Sequence, residues 1–490
     1  MTMAEEHLLD SSLWKERLFT GHWVEGNGEA LTVRAPGSGE TLGRAATGDA
    51  AQVAIAAQAG RDAAAEWFEH PYDDRAEVLR QAARLTETHR QEIERWLVLE
   101  SGSTPAKAAF EVMLTIKALH KASELPSTAA GEVLPSTPGR LSLARRRPLG
   151  VVGVIAPFNF PLYLAIRAVA PALALGNGVV LKPDPRTTVC GGFSIARLFE
   201  RAGLPAGVLS VLPGGREVGS ALVEDENIAM IQFTGSTAAG RKIGERAGAQ
   251  LKKVSLELGG KNALIVLDDA DIEQAVSNAS WGTYLHQGQI CMSCGRILVH
   301  RTIYDTFVER LTERARGLSV GDPAIEDVAL GPLIDEGQRD HAVDLLARAR
   351  EAGASVRVGG ETRGLFFQPA VVCDVTPDNP LFHEETFAPV AVVIPFDSDD
   401  EAVRLANDTE YGLSAGVISR DVGRALRLGE RLNTGLLHIN DQTVDDEVIN
   451  PFGGVGASGN GTAVGGPANL DEFTQWQWLT LKSEAPVYPL

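Results

Sequence analysis

The sequence predicts an α/β protein built as two doubly wound α/β domains in tandem, with a small β arm beside them. Three observations carry that reading. Short β-rich runs start near residues 151 (VVGVIAP), 178 (GVVLKP), 207 (GVLSVLP) and 228 (IAMIQFTG), each bounded by Pro or Gly and followed by a helical pattern. A second series follows, with ALIVL at 263, RILVH at 296, VAVVIPF at 390 and LSAGVIS at 413. Near-continuous apolar strands with helical crossovers mark parallel sheets covered on both faces. The third observation is size: 490 residues exceed one ordinary core, so two or three domains are expected.

Along the chain, residues 51–101 carry apolar side chains at helical spacing (VAIAAQAGRDAAAEWF, RAEVLRQAARL, IERWLVLE), which predicts two long amphipathic helices. Helical patterns at 303–317 and 338–353 interleave the second strand series. The closing run QWQWLTLK reads as a strand with no partner nearby in sequence, and pairing with another subunit would satisfy it. The chain shows no internal repeat and no low-complexity segment.

Composition narrows the functional classes. Apolar residues make up 44% and charged residues 22%, ordinary values for a soluble globular chain. With 45 Lys plus Arg against 64 Asp plus Glu, the net charge is −19, and no long basic run offsets it. Nucleic acid and anionic membrane are therefore not expected partners. The opening MTMAEEHLLD is acidic and lacks an apolar stretch, so no signal peptide is expected. The longest apolar run, AVAPALALGNGVVL, is interrupted by Pro171, Gly176 and Asn177 and does not fit a membrane span. Four cysteines (Cys190, Cys291, Cys294, Cys373) do not form a disulfide framework, which points to a reducing cytoplasm.

Nucleotide motifs are sparse. No phosphate-loop pattern occurs, and the single G-x-G-x-x-G, GVGASG at 454–459, follows no predicted strand and opens no helix, so the match is read as chance. Two strand-to-helix turns remain, LKPDP at 181–185 and FTGSTAAG at 233–240. Gly235 and Ser236 ahead of a helix leave backbone N–H groups for a pyrophosphate; a plain turn with Ser236 or Thr237 as N-cap explains the stretch equally well. The segment HQGQICMSCGR places Cys291 and Cys294 at C-x-x-C spacing. A structural zinc site needs four ligands, and no second pair sits at usable spacing. A thioredoxin-type dithiol would follow a strand in a small domain, whereas this pair follows a helical pattern deep in a long chain. A lone thiolate nucleophile and a pair of buried structural thiols also remain open; the first needs a base or a positive field to ionise.

LELGGK at 256–261, GQIC at 288–291 with Arg296 five residues on, FNFP at 158–161, FTGS at 233–236, EETF at 384–387 and PFGG at 451–454 together resemble the aldehyde dehydrogenase superfamily. The motifs are in order, span nearly the whole chain, and set Glu257 34 residues before Cys291. The resemblance implies a Rossmann-like coenzyme domain from 1–126 and 148–257, a catalytic domain from 258–455, and an oligomerisation arm from 127–147 and 468–490. It implies Cys291 as nucleophile with Cys294 as a bystander, an oxyanion held by the Asn159 side chain and the Cys291 N–H, and Glu257 as the base that activates water. A carboxylate facing a thiolate is electrostatically awkward, so Glu257 is expected to be mobile or partly protonated at rest. On the cofactor side it implies Lys182 at the adenosine ribose, Gly215, Gly235 and Ser236 near the pyrophosphate, Glu385 at the nicotinamide ribose and Phe387 near the ring. The cofactor is NAD or NADP, no metal is implied, and a homodimer or homotetramer is expected.

Two departures from the family pattern matter. Pro185 stands where NAD-preferring members carry Glu, and Ala388 replaces a Gly in EETFAP. Loss of that carboxylate, with Lys182 and Arg186 close by, implies that both cofactors are used. For substrate, the positions matching the aldehyde tunnel are Phe160, Leu164, Arg167, Met292 and Phe452, which suit a flat, uncharged ring. HINDQTVDDE at 438–447 and EFTQWQW at 472–478 resemble the benzaldehyde and vanillin dehydrogenase branch. The runner-up is a semialdehyde dehydrogenase in which Arg167 holds a substrate carboxylate, although Asp445, Asp446 and Glu447 could neutralise it. The different-class alternatives are a thiol–disulfide protein on Cys291–Cys294 and a non-catalytic scaffold.

Overall fold

Two runs of alternating strand and helix lay down two seven-stranded sheets. The computed structural model describes residues 7–128 and 130–489; the signal-peptide reading of residues 1–6 lies outside them. In the first sheet the order is Lys253–Glu257, Ile228–Thr234, Val151–Ile155, Gly178–Lys182, Leu209–Val211, Arg17–Phe19 and Trp23–Glu25. The first five run parallel, and the last two join antiparallel at the edge. Every residue of Val151–Ile155 and Gly178–Lys182 is buried, because helices cover both faces and leave no polar side to the strand. The second sheet runs Ser355–Val358, Ala370–Cys373, Val390–Phe396, Cys294–His300, Asn262–Val266, Ser414–Ile418 and Leu436–Ile439. Its strands are parallel except the first, and separate apolar clusters pack its two faces.

The two sheets meet where chemistry was expected. Glu257 ends the edge strand of the first sheet, and the second sheet's Asn262–Val266 strand starts five residues later. Ligands of open parallel sheets bind beyond the carboxyl ends of the strands, and Lys182, Thr234 and Glu257 all stand at such ends.

Three expectations change. Residues 50–101 form three helices rather than two: Ala50–Glu69, Tyr72–Thr88 and Arg90–Ser101. Pro71 stops continuation of the first, and His89, at φ −99° and ψ 19°, breaks the second from the third. The closing strand, Thr474–Lys482, has a partner in its own chain. It pairs antiparallel with Arg140–Pro148 over nine residues, from Thr474 opposite Pro148 to Lys482 opposite Arg140. That partner lies some 330 residues away, beyond the reach of local pattern, and Gly131–Val133 completes the three-stranded sheet. The third change concerns Arg167 and Arg186 and belongs to the site below. GVGASG carries the two-residue strand Val455–Gly456, paired with Tyr411–Gly412, and opens no helix; Gly459 bridges to Glu257 instead.

No helix among the described residues is long and apolar enough to cross a membrane.

Candidate active site

Cys291 follows a short helical turn, Leu285–Gly288, in which His286 and Gln287 take left-handed φ values of 48° and 57°. Such backbone is strained for side-chain-bearing residues and persists only where the surroundings hold it. They do: Gln287 Nε2 donates to the carbonyls of Gly102 (3.1 Å) and Pro332 (2.8 Å), and Gln289 Oε1 accepts from Ile334 N at 3.0 Å. The cysteine's own carbonyl accepts from Asn262 Nδ2 at 2.8 Å, the same amide that binds Ser293 O. Thr443 Oγ1 donates to Met292 O at 2.7 Å. The loop is thus clamped from the second sheet and from the 440s loop.

Asn159 faces this loop, its Nδ2 donating to Gln289 O at 2.9 Å, which leaves one amide hydrogen unengaged by that bond. Its position is fixed from behind. Lys107 Nζ is buried, bonds Glu111 Oε2, donates to Asn159 O at 2.7 Å and sits 4.1 Å from the Phe160 ring centroid. Glu111 Oε1 in turn accepts from the N–H groups of Leu162 (2.9 Å) and Tyr163 (3.1 Å), capping the Pro161–Ala174 helix. Sequence reasoning missed this pair. Its signal was an i,i+4 Lys–Glu pair on a stripe shared with Ala108, Val112 and Thr115, all buried.

Glu257 is 6% exposed and neither carboxylate oxygen has a hydrogen-bond partner. Burial pushes its pKa well above the usual carboxylate range; Arg167 pulls it down, while Asp446 and Glu472 add to the rise. The Cys291 thiol is pushed up first by burial and then by the nearby negative groups Glu385, Glu257 and Asp446. Burial thus biases both groups toward their protonated forms. Cys294 starts a strand, is 1% exposed and titrates only near about 12, chiefly because it is buried. All four cysteines are free.

The cofactor-side residues also converge. Lys182 is buried at its strand end, with its pKa lowered by desolvation. Gly215 is the N-cap of Arg216–Glu224, and its N–H is taken by Glu217 Oε1 at 3.0 Å. Ser236 caps Thr237–Ala249 through its side chain, which leaves the turn's backbone role open. Glu385 accepts from Gly260 N at 3.0 Å and is raised to about 7 by burial, and any side chain at Gly259 would collide with its carboxylate. Phe387 is held at φ 51° by Gln338, whose Nε2 donates to Phe387 O at 3.0 Å, and its ring meets Phe158 edge-on at 5.8 Å. A buried cation at a strand end, two helix starts and a buried carboxylate at the Gly259–Gly260 turn are groups that fit a dinucleotide.

Pro185 opens a single short turn and Arg186 follows it, but the arginine is not free for a phosphate. Its guanidinium binds both oxygens of Asp184 at 2.8 Å and Asp335 at 2.7 Å, and stacks 4.2 Å from the Phe158 centroid. Two carboxylates already engage it, and a cofactor phosphate would have to compete with them.

On the other side of Cys291 an apolar cleft of about 560 Å³ is lined by Phe160, Leu164, Met292 and Phe452, as expected, together with Phe110, Leu114, Tyr163, Trp281, Leu285, Ile290, Val444 and Asp446. Arg167 is absent from that wall. It lies buried behind it, paired with Asp446, donating to Val464 O at 2.8 Å and stacked 4.7 Å from the Phe452 centroid. The sequence placed Arg167 in the tunnel; its carboxylate partner and the carbonyls draw it out. Arg296 of the cysteine motif is likewise scaffold, bonded to the carbonyls of Lys261, Leu405 and Ala406. No group of metal-binding side chains occurs among the described residues.

Fold and site together define a nucleotide-dependent oxidoreductase with one candidate thiol between a dinucleotide cleft and an apolar substrate cleft. The aldehyde dehydrogenase family pattern matches residues 23–479. The chain is 53% identical to a vanillin dehydrogenase of Amycolatopsis sp. over 482 residues, covering 98% of this chain and 99% of that one. It is 47% identical to a benzaldehyde dehydrogenase [NAD(+)] of Pseudomonas putida over 481 residues, with the same coverage. Among solved structures, a salicylaldehyde dehydrogenase from Pseudomonas putida G7, complexed with salicylaldehyde, superposes with a TM-score of 0.93 at 36% identity, covering 97% of this chain and 99% of that one. The chain belongs to the aldehyde dehydrogenase family, and it is an NAD(P)-dependent oxidoreductase.

Proposed function

We propose that this enzyme oxidises an aromatic aldehyde to the carboxylic acid, with Cys291 as nucleophile, Glu257 as general base, and Asn159 with the Cys291 N–H as oxyanion donors. The observation that carries the roles is Glu257: a buried carboxylate with neither oxygen partnered, beside a thiol whose ionisation it opposes. Cys291 releases its thiol proton to solvent and adds to the aldehyde carbon as the thiolate, and the second Asn159 amide hydrogen meets the oxyanion that forms. One such donor contributes about 2.7–4 kcal/mol to lowering the barrier. Hydride leaves the adduct carbon as the thioester forms, and NAD(P), held by Lys182, Glu385 and Phe387, would supply the hydride acceptor there. Glu257 then takes a proton from water, whose oxygen attacks the thioester carbon, and the acid leaves as Cys291 regains its thiol.

Lys182, Gly215, Gly235, Ser236, Glu385 and Phe387 hold the dinucleotide in this reading. The apolar cleft favours a ring, and Arg167 is already matched by Asp446, so a semialdehyde carboxylate finds no free cation. The names of the relatives support the same substrate class. We assign the coenzyme domain to 1–126 and 148–257, the catalytic domain to 258–455 and the oligomerisation arm to 127–147 and 468–490. Support for the arm is its exposed face: Trp476, Trp478 and Leu481 are 53%, 67% and 58% exposed on an edge strand. That exposed surface supports a homodimer or homotetramer, and the free cysteines support a reducing cytoplasm.

A panel of benzaldehydes and ω-carboxy aldehydes, run with NAD and with NADP and followed at the reduced-nicotinamide absorbance, tests the reading. The benzaldehydes should give the highest kcat/KM; a carboxy aldehyde ahead of them would overturn the aromatic assignment.

A further inference from the structure

The substrate cleft is apolar on almost every side, yet one carboxylate reaches its wall. Asp446 lines the cleft and is tied down by two donors: Tyr163 Oη donates to its Oδ2 at 3.0 Å, and Arg167 Nη1 binds the same oxygen. Tyr163 and Arg167 also contact each other at 3.3 Å, so the three groups brace one another. Both donors fall on Oδ2. Oδ1 accepts no hydrogen bond among the described residues. Asp446 thus brings a braced carboxylate with an unengaged oxygen to the wall of a cleft otherwise lined by Phe110, Leu114, Phe160, Trp281 and Phe452.

The chemistry of an acceptor in such a wall limits what it can recognise. An anionic substituent is repelled. A cationic one gains little, because Arg167 already neutralises the carboxylate at contact distance. A neutral donor on a flat apolar body is what remains. We propose that Asp446, braced by Tyr163 and Arg167, is a specificity residue that accepts a hydrogen bond from a hydroxyl group on the ring of the aromatic aldehyde. This rests on the aromatic reading above and sharpens it to phenolic aldehydes. Asp446 and Cys291 line the same cleft, so a ring seated there faces both.

The test compares each hydroxybenzaldehyde isomer (2-, 3- and 4-) with its methoxy counterpart, and with benzaldehyde. Hydroxy and methoxy groups have similar electronic effects at a given ring position, but only the hydroxy group donates a hydrogen bond. In the parent, at a pH below ionisation of the phenol, at least one hydroxy isomer should exceed its methoxy partner in kcat/KM by about tenfold or more, as expected for a hydrogen bond to a charged acceptor. The preference should fall as the pH rises through the phenol's ionisation, because a phenolate meets Asp446 as a like charge. Asp446→Asn should shrink the hydroxy-to-methoxy ratio toward one, and Tyr163→Phe, which leaves Oδ1 in place, should retain most of it. Benzaldehyde turnover with no hydroxy preference in the parent overturns this inference while leaving the aromatic reading intact. An unchanged ratio in Asp446→Asn also overturns it, and failure of every ring aldehyde overturns both.

Discussion

Glu111 and Glu257 are both buried carboxylates of this site, and they are supported in opposite ways. Glu111 meets Lys107 on one oxygen and two helix-start N–H groups on the other. Glu257 meets nothing on either. A buried charge normally persists only with full compensation, and the first case obeys that rule. The second breaks it, at the end of a strand beside the thiol. The satisfied carboxylate holds Asn159 and the Pro161–Ala174 helix in place. The unsatisfied one keeps its lone pairs for water. Support and reaction are thus divided between two residues of the same type, and the partner list separates them.

The largest effect is expected where nothing substitutes. Cys291→Ala should lower kcat by about 10⁴-fold or more while folding and cofactor binding persist, since loss of a nucleophile removes the covalent route. Turnover within tenfold of the parent would sink the assignment, and Cys294→Ser should retain most activity. Next comes Glu257→Gln, expected to slow steady turnover by about 10²–10⁴-fold. Acylation should survive, giving a burst of reduced cofactor of about one equivalent per site and then a stall; steady turnover without a burst would point to another base. The same substitution sharpens the contrast in pH. The folded pKa of Glu257 is raised above its ordinary 4.5, so the native state holds the proton more tightly than the unfolded chain. Its contribution to stability is fully present below pH 4.5 and is lost as pH climbs through the raised folded value. Deacylation should rise with pH through that same raised value. Both trends should flatten in Glu257→Gln, and a deacylation limb at ordinary carboxylate pH would contradict the burial argument.

Breaking the supported side should cost stability more than chemistry. Lys107→Met strands Glu111 without its cation, and removing one partner of a buried pair costs about 3–5 kcal/mol. Activity should fall about tenfold, through loss of the donor to Asn159 O. The double variant Lys107→Met/Glu111→Gln should be less destabilised than the two single losses added together. Strict additivity in a denaturation cycle would show that the two side chains do not act as a unit.

Much of this was legible in the sequence, and what was missed shares a cause. Periodicity located the strands from Val151–Ile155 to Ser414–Ile418 because each lies buried between helices, where pattern and burial coincide. Motif resemblance located Cys291, Glu257 and Asn159. The misses depend on who touches whom at long range. Thr474–Lys482 finds Arg140–Pro148 and Arg186 turns to Asp335, whereas Asp446 as the partner of Arg167 was one of three neighbours the sequence had raised. A cation's residue type announces a charge, whereas its partner is fixed only by tertiary packing.

The smallest effect concerns that redirected charge on the cofactor side. Lys182 and Arg186 were expected to welcome a 2′-phosphate now that Pro185 replaces a carboxylate. Arg186, however, is matched by Asp184 and Asp335, and Lys182 is a desolvated amine with Asp184 and Glu217 as its favourable neighbours. Glu217 folds back onto Gly215 N at the start of its helix, so a carboxylate stands on the cofactor side even without one at 185. With Asp184 and Arg186 paired to each other, an added 2′-phosphate would meet Lys182 and the Glu217 carboxylate there, and like charges in a partly desolvated site repel. The parent should therefore use NAD with a kcat/KM at least about tenfold above NADP, a margin of about 1.4 kcal/mol. Glu217→Gln should narrow that margin by raising NADP use, while Pro185→Glu should widen it. A parent that prefers NADP, or a Glu217→Gln variant with an unchanged ratio, would show that the phosphate avoids this corner and that the discriminating charge lies elsewhere.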